Sequence, residues 1–379
     1  MSKSNLLFIF LSVIFLNCQS CKEKSEGLIT IDISKEYSKK KIKITNTEYI
    51  PLETKEGISV SSSAVLHYVS EKYILLIDRT NGDVFVFNRN GKMVTLLNKK
   101  GRGPMEYLTI SNVVFDENSE EIFVFDRAST RQIQVYSLSG DCKRTMVYSD
   151  KFELMGYNFD EKTLLVYDTK GLHLEGNYSK KPYMLMSKDV VDSFSDLNIN
   201  LSERYSDGVY SQVKTPSGQV LITNKSIPIF SRIHFGQDFI ISDISSDTIY
   251  QLTKSKDLKP ILVHTPSVNS TNPRLVCTCV LNTDKFMILH VTTLDYDAIK
   301  KNNVPLIKTL MYEYTTGKIS RVDYHGTNVT ILQKNTDASM ISALTLKDAY
   351  DNKELSGELE KIAATLSESS NPVVEINFY

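Results

Sequence analysis

Tryptophan is absent from these 379 residues, cysteine occurs only five times, and the charges almost cancel, with 44 Lys plus Arg against 45 Asp plus Glu. Each shortage excludes something. Sugar rings are commonly held on flat aromatic faces, so glycan recognition would fall to the 20 tyrosines. Those at alternating positions, such as Tyr136, Tyr167, Tyr250 and Tyr314, read first as sheet packing. A net charge of -1 gives no broad field to steer a polyanion, which argues against nucleic acid as a partner. Outside the N-terminus, Cys142, Cys277 and Cys279 make an odd number, so no disulfide framework is expected. Cys277 and Cys279 flank one residue of an apolar strand and would face the same side. Buried thiols are the leading reading and a bridge the alternative, since a metal would need further ligands that are not nearby.

Reaction motifs are missing as well. There is no G-x-S-x-G elbow and no HExxH, and the six histidines, His67, His173, His234, His264, His290 and His325, are scattered. Gly101-Arg102-Gly103-Pro104 lacks the lysine and following helix of a phosphate loop and reads as a turn. Beyond the N-terminus no apolar run approaches the roughly 20 residues of a membrane-spanning helix.

What is present begins with Lys3 and the apolar run from Leu6 to Leu16, followed by small and polar residues around Cys18 and Cys21. This is a secretory signal peptide. Its end resembles a bacterial lipoprotein signal. Ser20-Cys21 fits cleavage before a lipidated cysteine better than Asn17-Cys18, so Cys21 is the expected lipidation site and Cys18 the alternative. Lys22-Glu23-Lys24 look like a short export tag that sends some lipoproteins to the outer cell surface. The expected organisation is a signal peptide over 1–20, a lipid-anchored tether over 21–45 that includes the Lys39-Lys40-Lys41 cluster, and one domain over 46–379.

The domain repeats itself. Tyr73-Ile-Leu-Leu-Ile-Asp78-Arg79, the strand Asp83 to Phe87 and the turn to Gly91-Lys92 return as Ile122-Phe-Val-Phe-Asp126-Arg127, Gln132 to Tyr136 and Gly140-Asp141. Tyr314-Thr-Thr-Gly317-Lys318 echoes the turn again. Short strands bounded by Asp and Gly at this spacing predict an all-β radial repeat. The middle of the chain is noisier, and its runs at Val209 to Val213 and Val220 to Thr223 are read as blade strands. Leu355, Leu359, Ile362, Ala363 and Leu366 predict a short C-terminal helix before a closing strand, Val373 to Phe378, which would pair with Tyr49 to Leu52. The units fit about five or six blades, and six is preferred.

On three features the chain resembles the six-bladed β-propeller lipoproteins of Bacteroidota, relatives of NHL-type propellers. These are the Asp-Arg-then-Gly blade pattern, the run Gly101-Arg-Gly-Pro-Met105-Glu106-Tyr107, and the terminal helix followed by Asn371-Pro372. Met105 departs from that family's usual glycine. The resemblance implies a six-bladed propeller lipoprotein and little about activity, though such proteins often accompany glycan-uptake systems.

Recurrence at strand ends suits Asp78, Asp126, Asp168 and Asp243 to turn capping. The candidate binding surface consists of Asp78, Arg79, Arg102, Glu106, Asp126, Arg127 and His290, with no catalytic residue assigned. No cofactor is expected, and calcium would need more converging oxygens. The expected function is a non-enzymatic cell-envelope binding or scaffold module for a protein or glycan, held at the outer membrane by its lipid. The alternative is a lyase or hydrolase with its site in the central channel.

Overall fold

A computed structural model describes residues 27–379 apart from 57, 127–130, 171–178, 191, 215–219, 228, 230–231, 236–237, 304 and 325–328. The signal peptide, Cys18, Cys21 and Arg127 lie outside the described residues.

The alternating runs form six blades around a central channel. From inner to outer strand, blade 1 is Val65–Val69, Tyr73–Asp78, Asp83–Asn88 and Met93–Asn98. Blade 2 is Ile110–Asp116, Glu121–Asp126, Gln132–Ser137 and Cys142–Val147, and blade 3 is Leu154–Asn158, Thr163–Asp168, Tyr183–Ser187 and Phe194–Asp196. Blade 4 comprises Arg232–Phe235, Phe239–Ser242, Thr248–Leu252 and Leu258–Thr265, and blade 5 comprises Arg274–Asn282, Phe286–Leu294, Lys308–Glu313 and Ile319–Arg321. Blade 6 joins the two ends of the chain: Val373–Phe378 is flanked by Thr336–Ile341 and, antiparallel on its other side, by Asn46–Pro51. The predicted closure is therefore the observed one.

Two kinds of turn repeat around the ring. The second strand of every blade ends in a side-chain cap, made by Asp78, Asp126, Asp168, Asp243, Asp295 and Ser342. In blades 5 and 6 that cap starts a helix, α1 (Tyr296–Lys300) and α2 (Ala343–Asp351). A third helix, α3 (Gly357–Thr365), packs on α2 and is the one the sequence predicts; α2 is additional. The turn between third and fourth strands needs one residue with positive φ. Gly91, Gly140 and Gly317 supply it in blades 1, 2 and 5, but Asp192 (φ 57°) and Lys256 (φ 72°) supply it in blades 3 and 4. Loss of the glycine is why the repeat fades in the middle of the sequence.

Two expectations are corrected. Val209 to Val213 and Val220 to Thr223 belong to no blade; Gly208–Lys214 and Val220–Ser226 form a separate two-stranded hairpin between blades 3 and 4. Nor is 21–45 only a tether with a partial strand, as its alternation of Leu28, Ile29, Ile31 and Ile33 suggests. Ile29–Asp32 adds a fifth, parallel strand to blade 4 and buries Ile31 and Ile33. Farther on, Lys39 bridges to Arg321 and pairs with Asp323 at 2.7 Å, while Lys40 pairs with Glu313. Apolar side chains at alternate positions favour sheet-edge burial over solvation, so this segment belts blades 4 and 5 before closing blade 6.

The core lies between the blades, in clusters such as Val114, Phe123, Phe125, Leu164 and Val166 between blades 2 and 3. One ion pair crosses this interface. Lys188 donates to Asp116 at 2.7 Å and to the carbonyl of Asp160 at 2.6 Å, both charged side chains being 3% exposed. Burial alone would raise the pKa of Asp116, but the Lys188 hydrogen bond and charge outweigh it and hold the carboxyl below its ordinary value.

Removing one partner strands the other in a dry interface. Lys188→Ala is expected to cost about 3–5 kcal/mol in denaturant unfolding, and replacing both residues by apolar ones should recover most of that loss. Gly91→Ala should destabilise by more than about 1 kcal/mol, because φ is 78° and an added Cβ would lie 2.2 Å from the Pro51 carbonyl oxygen at the end of Asn46–Pro51 in blade 6.

Candidate functional site: the central channel

A channel of about 780 Å³ runs inside the ring. Its wall comes from the inner strands of blades 1 to 3, through Val65 to Tyr68, Asn112 to Phe115 and Met155 to Asn158, with Ile233 from blade 4 and Ser339 and Met340 from blade 6. Successive side chains of an inner strand point to opposite faces of its blade, and the lining takes consecutive residues from these strands, so it is mixed rather than uniformly apolar. Thr330–Ile331, just before blade 6 in the chain, adds to the inner edge of blade 1 by pairing in parallel with Val65–Val69, and Thr330 joins the lining.

Among the sequence-predicted site residues that are described, only Arg79 lines this channel. Asp78 is buried behind it and fully occupied: it accepts from the Ser61 and Ser63 hydroxyls, the Thr80 and Asn81 amides, and Asn81 Nδ2 at 2.8 Å. Burial pushes its pKa up, but these donors prevail and keep it below the ordinary value. Asp126 is likewise a cap, accepting from the Leu108 and Thr109 amides at 2.9 and 3.1 Å. Glu106 closes its own turn onto the Gly103 amide at 2.7 Å, with Arg102 exposed on the same loop. His290 is not a channel residue. It lies on the second strand of blade 5, paired in register with Thr278 and buried near Tyr324. Its apolar flanks gave the strand correctly but could not say which side it faces.

The structure adds residues that sequence reasoning missed. His67 sits on the wall of blade 1 with Nε2 2.6 Å from the Val113 carbonyl oxygen. A carbonyl only accepts, so Nε2 carries the proton and Nδ1 is left as an acceptor. Asn112 crosses from blade 2 to the Gly156 carbonyl of blade 3 at 3.2 Å. Farther along, Asp238 and Lys254 of blade 4 line the channel, the acid accepting from Gln251 Nε2 at 2.6 Å. The alternation Val65-Leu-His67-Tyr68 was the only available signal, and it does not distinguish a channel wall from a blade interface.

The electrostatics are lopsided. Arg79 and Lys254 have no hydrogen-bond or ion-pair partner among the described residues, and the acid beside Arg79 is committed to its turn. Burial, aided by the charge on Arg79 and opposed by the Val113 carbonyl, lowers the pKa of His67 from 6.5 to about 4, so the imidazole is neutral at ordinary pH. Among the described residues no three His, Cys, Asp or Glu side chains come together as a metal site. Cys277 and Cys279 are buried and not bridged to each other, and burial raises the pKa of Cys277.

Between pH 6.5 and about 4 the unfolded chain binds a proton that native His67 refuses, so acidification through this window lowers stability. His67→Gln should flatten that part of the stability-against-pH curve in urea titrations. An unchanged slope would show that the ring is not held neutral.

Comparison with known proteins places this geometry among related propellers. An exported protein of Bacteroides fragilis, as its description has it, superposes with a TM-score of 0.58 at 14% identity, covering 93% of this chain and 100% of its own. A member of the DUF4221 family from Bacteroides vulgatus follows at a TM-score of 0.49 and 8% identity, over 88% of this chain and 96% of its own. Virginiamycin B lyase from Staphylococcus aureus covers 88% and 99% at a TM-score of 0.38 and 10% identity. The first of these is a likeness of fold, and the other two are too distant to bear on activity. No curated protein matches the chain in sequence. The model of the family described as "Domain of unknown function (DUF4934)" matches residues 28–376, and the chain belongs to that family.

Proposed function

We propose that this protein is an exported, lipid-anchored binding module, not an enzyme, that engages a glycan or protein partner at the channel mouth and adjoining propeller face. One observation carries this reading. The carboxylates that recur from blade to blade accept from backbone amides of turns and strand entries, whereas the open channel carries side chains with no internal partner among the described residues, led by Arg79. Acid–base catalysis needs a base within hydrogen-bonding reach of a reacting group and a partner to orient it. His67 instead directs its proton to a backbone carbonyl, and among the described residues no carboxylate is hydrogen-bonded to it. Cys21 supplies the membrane attachment in this reading, and the near-neutral charge gives no support to a nucleic-acid role.

A thermal-unfolding screen of residues 22–379 against neutral and acidic oligosaccharides and peptides, with and without calcium, is expected to find stabilising ligands. A ligand at a hundredfold excess over its Kd contributes about 2.7 kcal/mol. Turnover of any of these compounds, lost on substitution of channel residues, would overturn the non-enzymatic reading. Metabolic labelling with palmitate should mark the full chain and its Cys18→Ala variant but not Cys21→Ala; label retained in Cys21→Ala and lost in Cys18→Ala would move the anchor to Cys18.

A further inference from the structure

We propose that the channel binds a small ligand through a carboxylate, with Arg79 as the residue that pairs with it. This deepens the binding-module reading and rests on it. Three features of the wall converge on the same chemistry. Arg79, on the turn after the second strand of blade 1, lines the channel, and its neighbour Asp78 forms no ion pair with it, both carboxylate oxygens accepting instead from Ser61, Thr80 and Asn81. The second cation of the wall, Lys254, is also unpaired among the described residues, while Asp238, the one acid in the lining, accepts from Gln251. His67, within electrostatic reach of Arg79, is neutral and brings no opposing charge, and its Nδ1 can accept from a hydroxyl or amide.

The lining therefore carries two positive side chains against one negative. Partial enclosure removes water that would otherwise solvate the guanidinium, and Arg79 loses part of its ordinary basicity through that desolvation while remaining charged. Such a group gains most from an anion. A guanidinium is planar and offers parallel N–H donors that match the two oxygens of a carboxylate, and charge-assisted pairs of this kind exceed neutral hydrogen bonds in strength. The volume of about 780 Å³ lies in the range of pockets that enclose small organic ligands, which sets the size of the molecule rather than its skeleton.

The test uses residues 22–379 and four probes: glucuronate, glucose, N-acetyl-dialanine and its amide. Binding is read by calorimetry and by the unfolding midpoint. Each carboxylate is expected to bind more tightly than its uncharged counterpart, and the stronger of the two acids identifies a saccharide or a peptide terminus as the source. Arg79→Gln should weaken acid binding roughly tenfold or more, Arg79→Lys should retain part of it, and Lys254→Gln should have the smaller effect. Arg79 lies on an exposed turn, so these variants are expected to fold, and their unfolding midpoints without probe check this. Acids that bind Arg79→Gln as well as the unmodified protein would overturn the proposal, as would neutral probes that bind equally well. In either case binding that persists leaves the module reading standing, whereas failure of all four probes together with an empty ligand screen would remove both.

Discussion

Closure of the ring is the constraint on which the rest of the molecule depends. A blade packs its faces against two neighbours, so an open ring would expose two apolar sheet faces to water, an unfavourable outcome at about 25 cal/mol for each Å² of apolar surface. The last strand, Val373–Phe378, solves this by lying between Thr336–Ile341 and Asn46–Pro51, so residues more than 300 positions apart share one ladder. The N-terminal segment extends the same logic. Before it reaches blade 6 it has already added Ile29–Asp32 to blade 4 and tied Lys39 and Lys40 to blade 5, so one short stretch contacts three consecutive blades. The channel exists because this fastening holds.

Within the closed ring, the blades share two turns and differ in what grows from them. A cap ends every second strand, but in blades 1 and 4 it stabilises a tight turn, and in blades 5 and 6 the same position opens α1 and α2. The hairpin Gly208–Ser226 and the inner strand Thr330–Ile331 are likewise departures from the common plan. Features required by every blade are turn chemistry. Features peculiar to one blade, such as His67 on the channel wall of blade 1, are where the blades differ.

Two lysine or arginine side chains illustrate how environment assigns a role. Lys188 is buried with Asp116 and a carbonyl for company, so its charge is met inside the protein and the pair serves as a fastener between blades 2 and 3. Arg79 adjoins an aspartate in sequence, yet that carboxylate faces the turn and not the guanidinium. The sequence sets Asp78 and Arg79 side by side in the candidate binding surface; in space the acid is structural and Arg79 lines the channel.

Much of the fold was legible because its causes are local. Alternation gave the strands, and Asp at strand ends with Gly at positive φ gave the turns of blades 1, 2 and 5; the helix and final strand foretold how the ring closes. Blades 3 and 4 were obscured because Asp192 and Lys256 occupy the left-handed position that glycine fills elsewhere. The site was far less legible. A strand pattern of period two says that His67 and His290 each lie on one face, but both faces of a propeller blade are enclosed by neighbours. The sequence alone determined the repeat, its turns and the closing strand. Only the packing of six blades decided that His290 is interior, that His67 and Arg79 share a channel, and that residues after Gly27 belong to the ring, because these depend on contacts between segments far apart in the chain.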